Sequence, residues 1–103
     1  MSTSQNHLSA DTRLELTTSV LNVGQVYDWA TIASCGAVVV FSGTVRDHAE
    51  GRSDVTALTY EAYEDQVVPK LKVIADEMRA RWCDLGRIAL IHRIGRLELG
   101  ESS

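Results

Sequence analysis

Arg46 follows directly on the run Ser42-Gly43-Thr44-Val45, where a dense apolar segment gives way to a polar loop. A guanidinium is a planar, permanently charged fork that bonds a phosphate or carboxylate at two points. Gly43 removes a side chain three residues earlier, so backbone amides and the arginine could converge on an oxyanion. The plainer alternative is that Arg46 pairs with Asp47 or Glu61 at a solvated strand end. His48 and Arg52 flank Gly51 in the same loop and could extend a positive rim, although a histidine beside Asp47 and Glu50 also fits an ordinary surface. His92 alternates with Ile88, Leu90 and Ile94, which places it on the more apolar face of a strand, while Arg93 shares a face with Ala89 and Ile91. An imidazole there suits a hydrogen-bonded structural role, with proton transfer the alternative. Glu61, between Tyr60 and Tyr63, reads as an ion-pair partner for one of the arginines rather than a catalytic carboxylate. No Ser-His-Asp order, phosphate loop, GxGxxG or paired metal ligands occur in the sequence, so no metal or cofactor is expected.

The elements that must hold these residues are legible from periodicity. The polar run of residues 1–11 predicts a flexible tail, and residues 12–103 a single domain. "TRLELTT" alternates Leu14 and Leu16 with polar neighbours, as a strand does. Val23, Val26, Tyr27, Ala30 and Ala33 recur at helical spacing, with Gly36 as the stop. "GAVVVFSG", residues 36–43, is β-branched and almost continuously apolar, which predicts a strand covered on both faces. Residues 55–63 predict a second strand paired beside it. Val67, Leu71, Ile74, Met78 and Trp82 fall on one stripe of a long helix, with Pro69 near its start and Arg79 and Arg81 at its negative end. "RIALIHRIGRLEL" predicts a strand to about Ile94, a kink at Gly95 and a further short strand. Two connections are too short for parallel crossovers. The expected class is therefore α+β, a two-layer sandwich with a mixed or antiparallel sheet.

The totals narrow the function classes. A chain of 103 residues has room for one core. Fourteen acidic against ten basic residues give a net charge of −4, the wrong sign for a protein whose main partner is nucleic acid. Cys35 and Cys83 lie far apart without CxxC spacing and are expected as free thiols in a reducing compartment. The polar beginning lacks the apolar core of a secretory signal, and no apolar run is long enough for a membrane span, so the expected location is the cytoplasm.

Four blocks in order, "GAVVVFSGTVRDHAEGR", "LTYEAYED", a helix ending "RARW" and "IHRIGRLELGE", resemble the large, catalytic subunit family of molybdopterin synthase. The resemblance runs from about Gly36 to Glu101. It implies an α/β hammerhead fold and a sulfurtransferase of molybdenum cofactor biosynthesis that converts cyclic pyranopterin monophosphate to molybdopterin. The implied sulfur donor is the thiocarboxylated C-terminal Gly-Gly tail of a small ubiquitin-like subunit, and the implied assembly is a central dimer within a heterotetramer. The family's substrate-contacting segment matches Thr44, Val45 and Arg46, with Phe41 near the same pocket. His92 and Arg93 match its His-Arg-x-Gly block, for which structural support is expected, as for Glu61.

The resemblance also implies that the lysines credited with sulfur transfer lie beyond the block matching "GRLELGE". Lys70 and Lys72 fall on the helix of a different block. No catalytic residue is therefore expected within these 103 residues, which are expected to be inactive alone as a fragment or truncated copy. The alternative is a non-catalytic pterin-phosphate-binding or dimerisation module.

Overall fold

The computed structural model describes residues 4–45, 57–60 and 64–103. Seven elements follow in the order β1 (Ser4–Leu8), β2 (Thr12–Thr17), α1 (Val23–Ala30), β3 (Ala57–Tyr60), α2 (Glu64–Arg81), β4 (Ile88–Arg93) and β5 (Gly95–Glu98). They form an α+β domain with two helices and small sheets. One sheet has the order β1-β2-β4, antiparallel between β1 and β2 and parallel between β2 and β4. A separate antiparallel pair joins β3 to β5.

Alternation along β2 settles the faces of the first sheet. Leu14 and Leu16 are fully buried on one side, in register with Leu90 and His92 of β4. Leu14, Ala75 and Ile88 form a core that Val68, Leu71, Met78 and Leu90 complete, so α2 covers this face. Arg13, Glu15 and Thr17 point to the opposite face, where Trp29 of α1 lies against Arg13. The sheet thus meets a helix on each side. The reason is that β2 and β4 run parallel, and their alternating side chains present contact surfaces in both directions.

Several expectations are corrected. Within the stretch expected to be a tail, Ser4–Leu8 is a strand, held by its ladder to β2 although Asn6 and Leu8 are exposed. Helix α1 stops at Ala30 rather than Ala33, because Thr31 is extended and turns its hydroxyl (2.8 Å) and its amide (3.1 Å) onto the Tyr27 carbonyl. Its start is fixed by Asn22, whose side chain accepts from the Gln25 amide at 3.0 Å. Residues 36–43 are not a strand, and β3 pairs with β5 instead of with them; Val39 and Phe41 are 92% and 97% exposed. The core stripe of α2 is Val68, Leu71, Ala75 and Met78, leaving Ile74 and Trp82 about half exposed. Pro69 stands in the sixth position of α2, past the first turn, where its missing N–H costs the helix one bond.

The expected kink at Gly95 is present, with φ +92°, a conformation in which a side chain is strained. It breaks the chain between β4 and β5, so β5 leaves the first sheet to pair with β3. Ile94 and Leu97 are buried at this corner.

Candidate functional site

The corner where β4 ends is also where the residues singled out from sequence converge. After β5 the chain turns at Leu99-Gly100 and returns as a short run, Gly100–Ser103. Thr44 forms an isolated antiparallel bridge with Ser102. The Val45 amide donates to the Glu101 carbonyl (3.1 Å) and the Ser103 amide to the Gly43 carbonyl (2.9 Å). Those two bonds flank the Thr44–Ser102 pair, so the N–H and C=O of Thr44 point the other way, away from that run. Gly100 adds a bond to the Val45 carbonyl (2.9 Å), and the Ser42 and Ser102 hydroxyls meet at 2.7 Å.

On its far side the returning run is tied to β4, since the Arg93 amide donates to the Ser103 carbonyl at 2.9 Å. The Arg93 side chain is buried and pairs with the Glu101 carboxylate at 3.1 Å. The second oxygen of that carboxylate accepts the Glu98 amide at 2.7 Å. The Glu98 amide first, and the Arg93 side chain second, hold the Glu101 carboxyl below its ordinary value of 4.5. Arg93 reaches the Arg96 carbonyl only at 3.5 Å, and its Nε is buried without a hydrogen-bond partner.

The sequence-predicted residues therefore divide. Thr44, Val45 and Arg93 are brought together, with Glu101 as the link. Thr44 is exposed and Val45 is buried, so Val45 contributes backbone and core packing rather than an exposed side chain. Phe41 projects into solvent three residues before Thr44. His92 is half-buried on the other face of β4, in register with Leu16. Arg46, His48, Arg52 and Glu61 lie outside the described residues. Glu101 falls in the block "IHRIGRLELGE", but no periodic signal in the sequence marks it as the partner of Arg93.

A second surface feature lies on the α1 side of the first sheet. A groove of about 210 Å³ runs between β2, α1 and β4, with Glu15, Asn22, Val26 and Ile91 among its walls. Arg13 at its end bonds Glu15 at 3.2 Å, and the Arg13 and Arg87 guanidinium groups each lie about 5 Å from the Trp29 ring centre. Arg87 also donates to the Trp29 carbonyl at 2.7 Å. Both arginines are thereby engaged with the protein itself. Among the described residues no group of three His, Cys, Asp or Glu side chains could hold a metal ion, and no helix is long and apolar enough to cross a membrane.

The model of the MoaE protein family matches residues 16–103, a span that contains the whole Thr44–Glu101–Arg93 junction. The chain belongs to that family. Among curated relatives it is 44% identical over 93 residues to the molybdopterin synthase catalytic subunit of Escherichia coli (strain K12), covering 89% of this chain and 61% of that protein. It is 41% identical over 90 residues to molybdopterin synthase catalytic subunit 1 of Aedes aegypti, covering 87% of this chain and 57% of the relative. The catalytic subunit of Culex quinquefasciatus matches at the same 41% over 90 residues. The chain thus spans about three fifths of the length of these MoaE-family relatives.

Proposed function

We propose that this MoaE-family chain acts in molybdenum cofactor biosynthesis, and that its residues 41–46 form the phosphate-binding segment of a molybdopterin synthase catalytic subunit. The observation that carries the reading is the exposed placement of Thr44, its N–H and C=O directed away from the Gly100–Ser103 run, two residues before Arg46. An amide and a guanidinium supplied by neighbouring residues make a compact anion cradle, since both donate and the guanidinium stays charged. The proposed substrate is cyclic pyranopterin monophosphate, whose phosphate this segment would hold while sulfur arrives from the thiocarboxylated tail of a small ubiquitin-like subunit. We assign no catalytic residue within the 103 residues; their role is to bind and orient. Arg93 would support the segment structurally, and Phe41 would flank the pterin. A cytoplasmic heterotetramer around a central dimer, and a hammerhead-like arrangement of the domain, belong to the same reading.

Arg46→Ala is expected to weaken binding of the pterin monophosphate roughly tenfold or more, as loss of a charge-assisted hydrogen bond does. Isothermal titration checks this, with thermal melting as the control for folding. Unchanged affinity in a folded variant refutes the assignment. Turnover by the 103-residue chain with thiocarboxylated partner would show that catalytic groups lie within it, and binding without turnover would favour the non-catalytic module.

A further inference from the structure

We propose that Arg93 and Glu101 form a charge-assisted clasp whose task is to position the Gly43–Val45 run. The inference extends the reading of residues 41–46 given above, and in its consequence for ligand binding it rests on that reading.

The first argument is that Arg93 sits where an apolar side chain would stabilise the fold better. Its side chain is 8% exposed, its Nε is buried without a hydrogen-bond partner, and its Nη2 contact at 3.5 Å is long. Burying the guanidinium costs desolvation that a partner still 26% exposed repays only in part, and an unpaired buried donor adds to that cost. What the arginine provides, and an apolar residue would not, is a fixed grip on Glu101.

The second argument is that Glu101, among the described residues, is bonded to all three segments of the corner. Its carboxylate takes Arg93 at the end of β4 and the amide of Glu98 at the end of β5. Its carbonyl takes the amide of Val45. Ser103 repeats the connection two residues later, accepting from the Arg93 amide and donating to the Gly43 carbonyl. Among the described residues, Gly43–Val45 has no ladder to β1, β2 or β4, and its backbone bonds run to Gly100–Ser103. Whatever fixes Gly100–Ser103 therefore fixes the height and rotation of Thr44, and hence the direction of its outward N–H. Arg93 and Glu101 are positioning residues, acting on the ligand segment through backbone bonds.

The test is amide hydrogen exchange by NMR on the wild-type chain, Glu101→Gln and Arg93→Met, combined with titration of each, and of Arg46→Ala, with inorganic phosphate. Glu101→Gln keeps shape and hydrogen-bonding capacity but loses the charge. The clasp predicts that the Val45 and Ser103 amides exchange roughly tenfold faster or more in both variants, since a charge-assisted bond is lost. Amides of the β2–β4 ladder should keep their wild-type rates, and phosphate affinity should fall in parallel with the loss at Val45. Unchanged exchange at Val45 and Ser103, or a rise matched by the β2–β4 ladder, overturns the clasp. Faster exchange at Val45 with wild-type phosphate affinity, when Arg46→Ala has lost affinity, overturns its positioning role. If Arg46→Ala binds phosphate as the wild type does, the ligand assignment falls instead, and the exchange rates alone still decide the clasp.

Discussion

Replacing Arg79 by methionine removes one side chain and four hydrogen bonds. The guanidinium near the end of α2 donates to the carbonyls of Leu85 (3.3 Å) and Gly86 (2.9 Å), and to the Asp11 carbonyl and Thr12 hydroxyl (both 2.8 Å). It therefore joins the α2–β4 connection to the start of β2, and these segments are far apart in sequence. Hydrogen bonds from a charged donor contribute about 1.5–3 kcal/mol each when desolvated. Here the acceptors at Asp11 and Leu85 are exposed enough for water to replace the arginine, and the 3.3 Å bond is weak. Counting the two part-buried bonds, to Gly86 and Thr12, at the lower figure gives about 3 kcal/mol. Methionine returns part of this by packing its apolar stem, leaving an expected loss of about 2–3 kcal/mol. For a domain of this size the melting temperature should fall by roughly 10–15 °C at unchanged denaturant m-value. Arg79→Lys keeps the charge but reaches fewer acceptors and should lie between the two. Arg81→Met is the control: its pair with Glu77 is exposed on both sides, and its loss should cost about 0.5 kcal/mol or less. A melting temperature for Arg79→Met within about 2 °C of that of Arg81→Met would show that the clamp contributes nothing beyond surface charge.

Two further outcomes follow from single contacts. The Glu101 carboxyl is depressed in the folded chain by the Glu98 amide and Arg93, so its stabilising contribution is complete above the ordinary value of 4.5 and disappears as pH falls through the lower folded value. Glu101→Gln should accordingly melt below the wild type near neutrality, with the gap closing as the pH drops under 4.5; a gap independent of pH would contradict the ion pair. A Cβ on Gly86 would lie 2.6 Å from the Cys35 sulfur and 3.1 Å from Cδ1 of Ile32, so Gly86→Ala should cost about 1–3 kcal/mol in chemical denaturation. Adding Cys35→Ala should recover part of that loss, and failure to do so would mean that the overlap is relieved elsewhere.

The sequence was most readable where local pattern and tertiary contact agree. Alternation in β2 and β4, the length of α2 and the glycine kink between β4 and β5 all came from spacing alone, because each is set by residues within a few positions of one another. The exact buried stripe of α2 did not. Two apolar rows, Val67-Ile74-Trp82 and Val68-Leu71-Met78, lie close on the helix, and the choice between them belongs to Leu14 and Ile88 of the sheet. β1 carries no apolar alternation; its polar residues are kept extended by the ladder to a partner strand. Residues 36–43 failed in the opposite sense: their composition suits a covered strand, but neither β3 nor any strand of the first sheet pairs with them among the described residues.

The corner at Arg93 shows why the site resisted the same treatment. Alternation correctly separates His92 from Arg93, but it cannot say which face is covered at the end of a strand. Helix α2 covers the Leu14 face, whereas Arg93 is buried because the chain turns at Gly95, pairs β5 with β3 and then returns through Glu101 and Ser103. The distance from Val45 to Glu101 is over fifty residues in sequence and 3.1 Å from amide to carbonyl in space. Arg93, expected on a strand face with Ala89 and Ile91, is thus the most buried ionic group described, and its partner Glu101 lies in a run with no periodicity of its own. Local chemistry marks Thr44–Arg46 as able to receive an anion; the orientation of Thr44 and Val45 is decided by where the returning chain lays Gly100–Ser103.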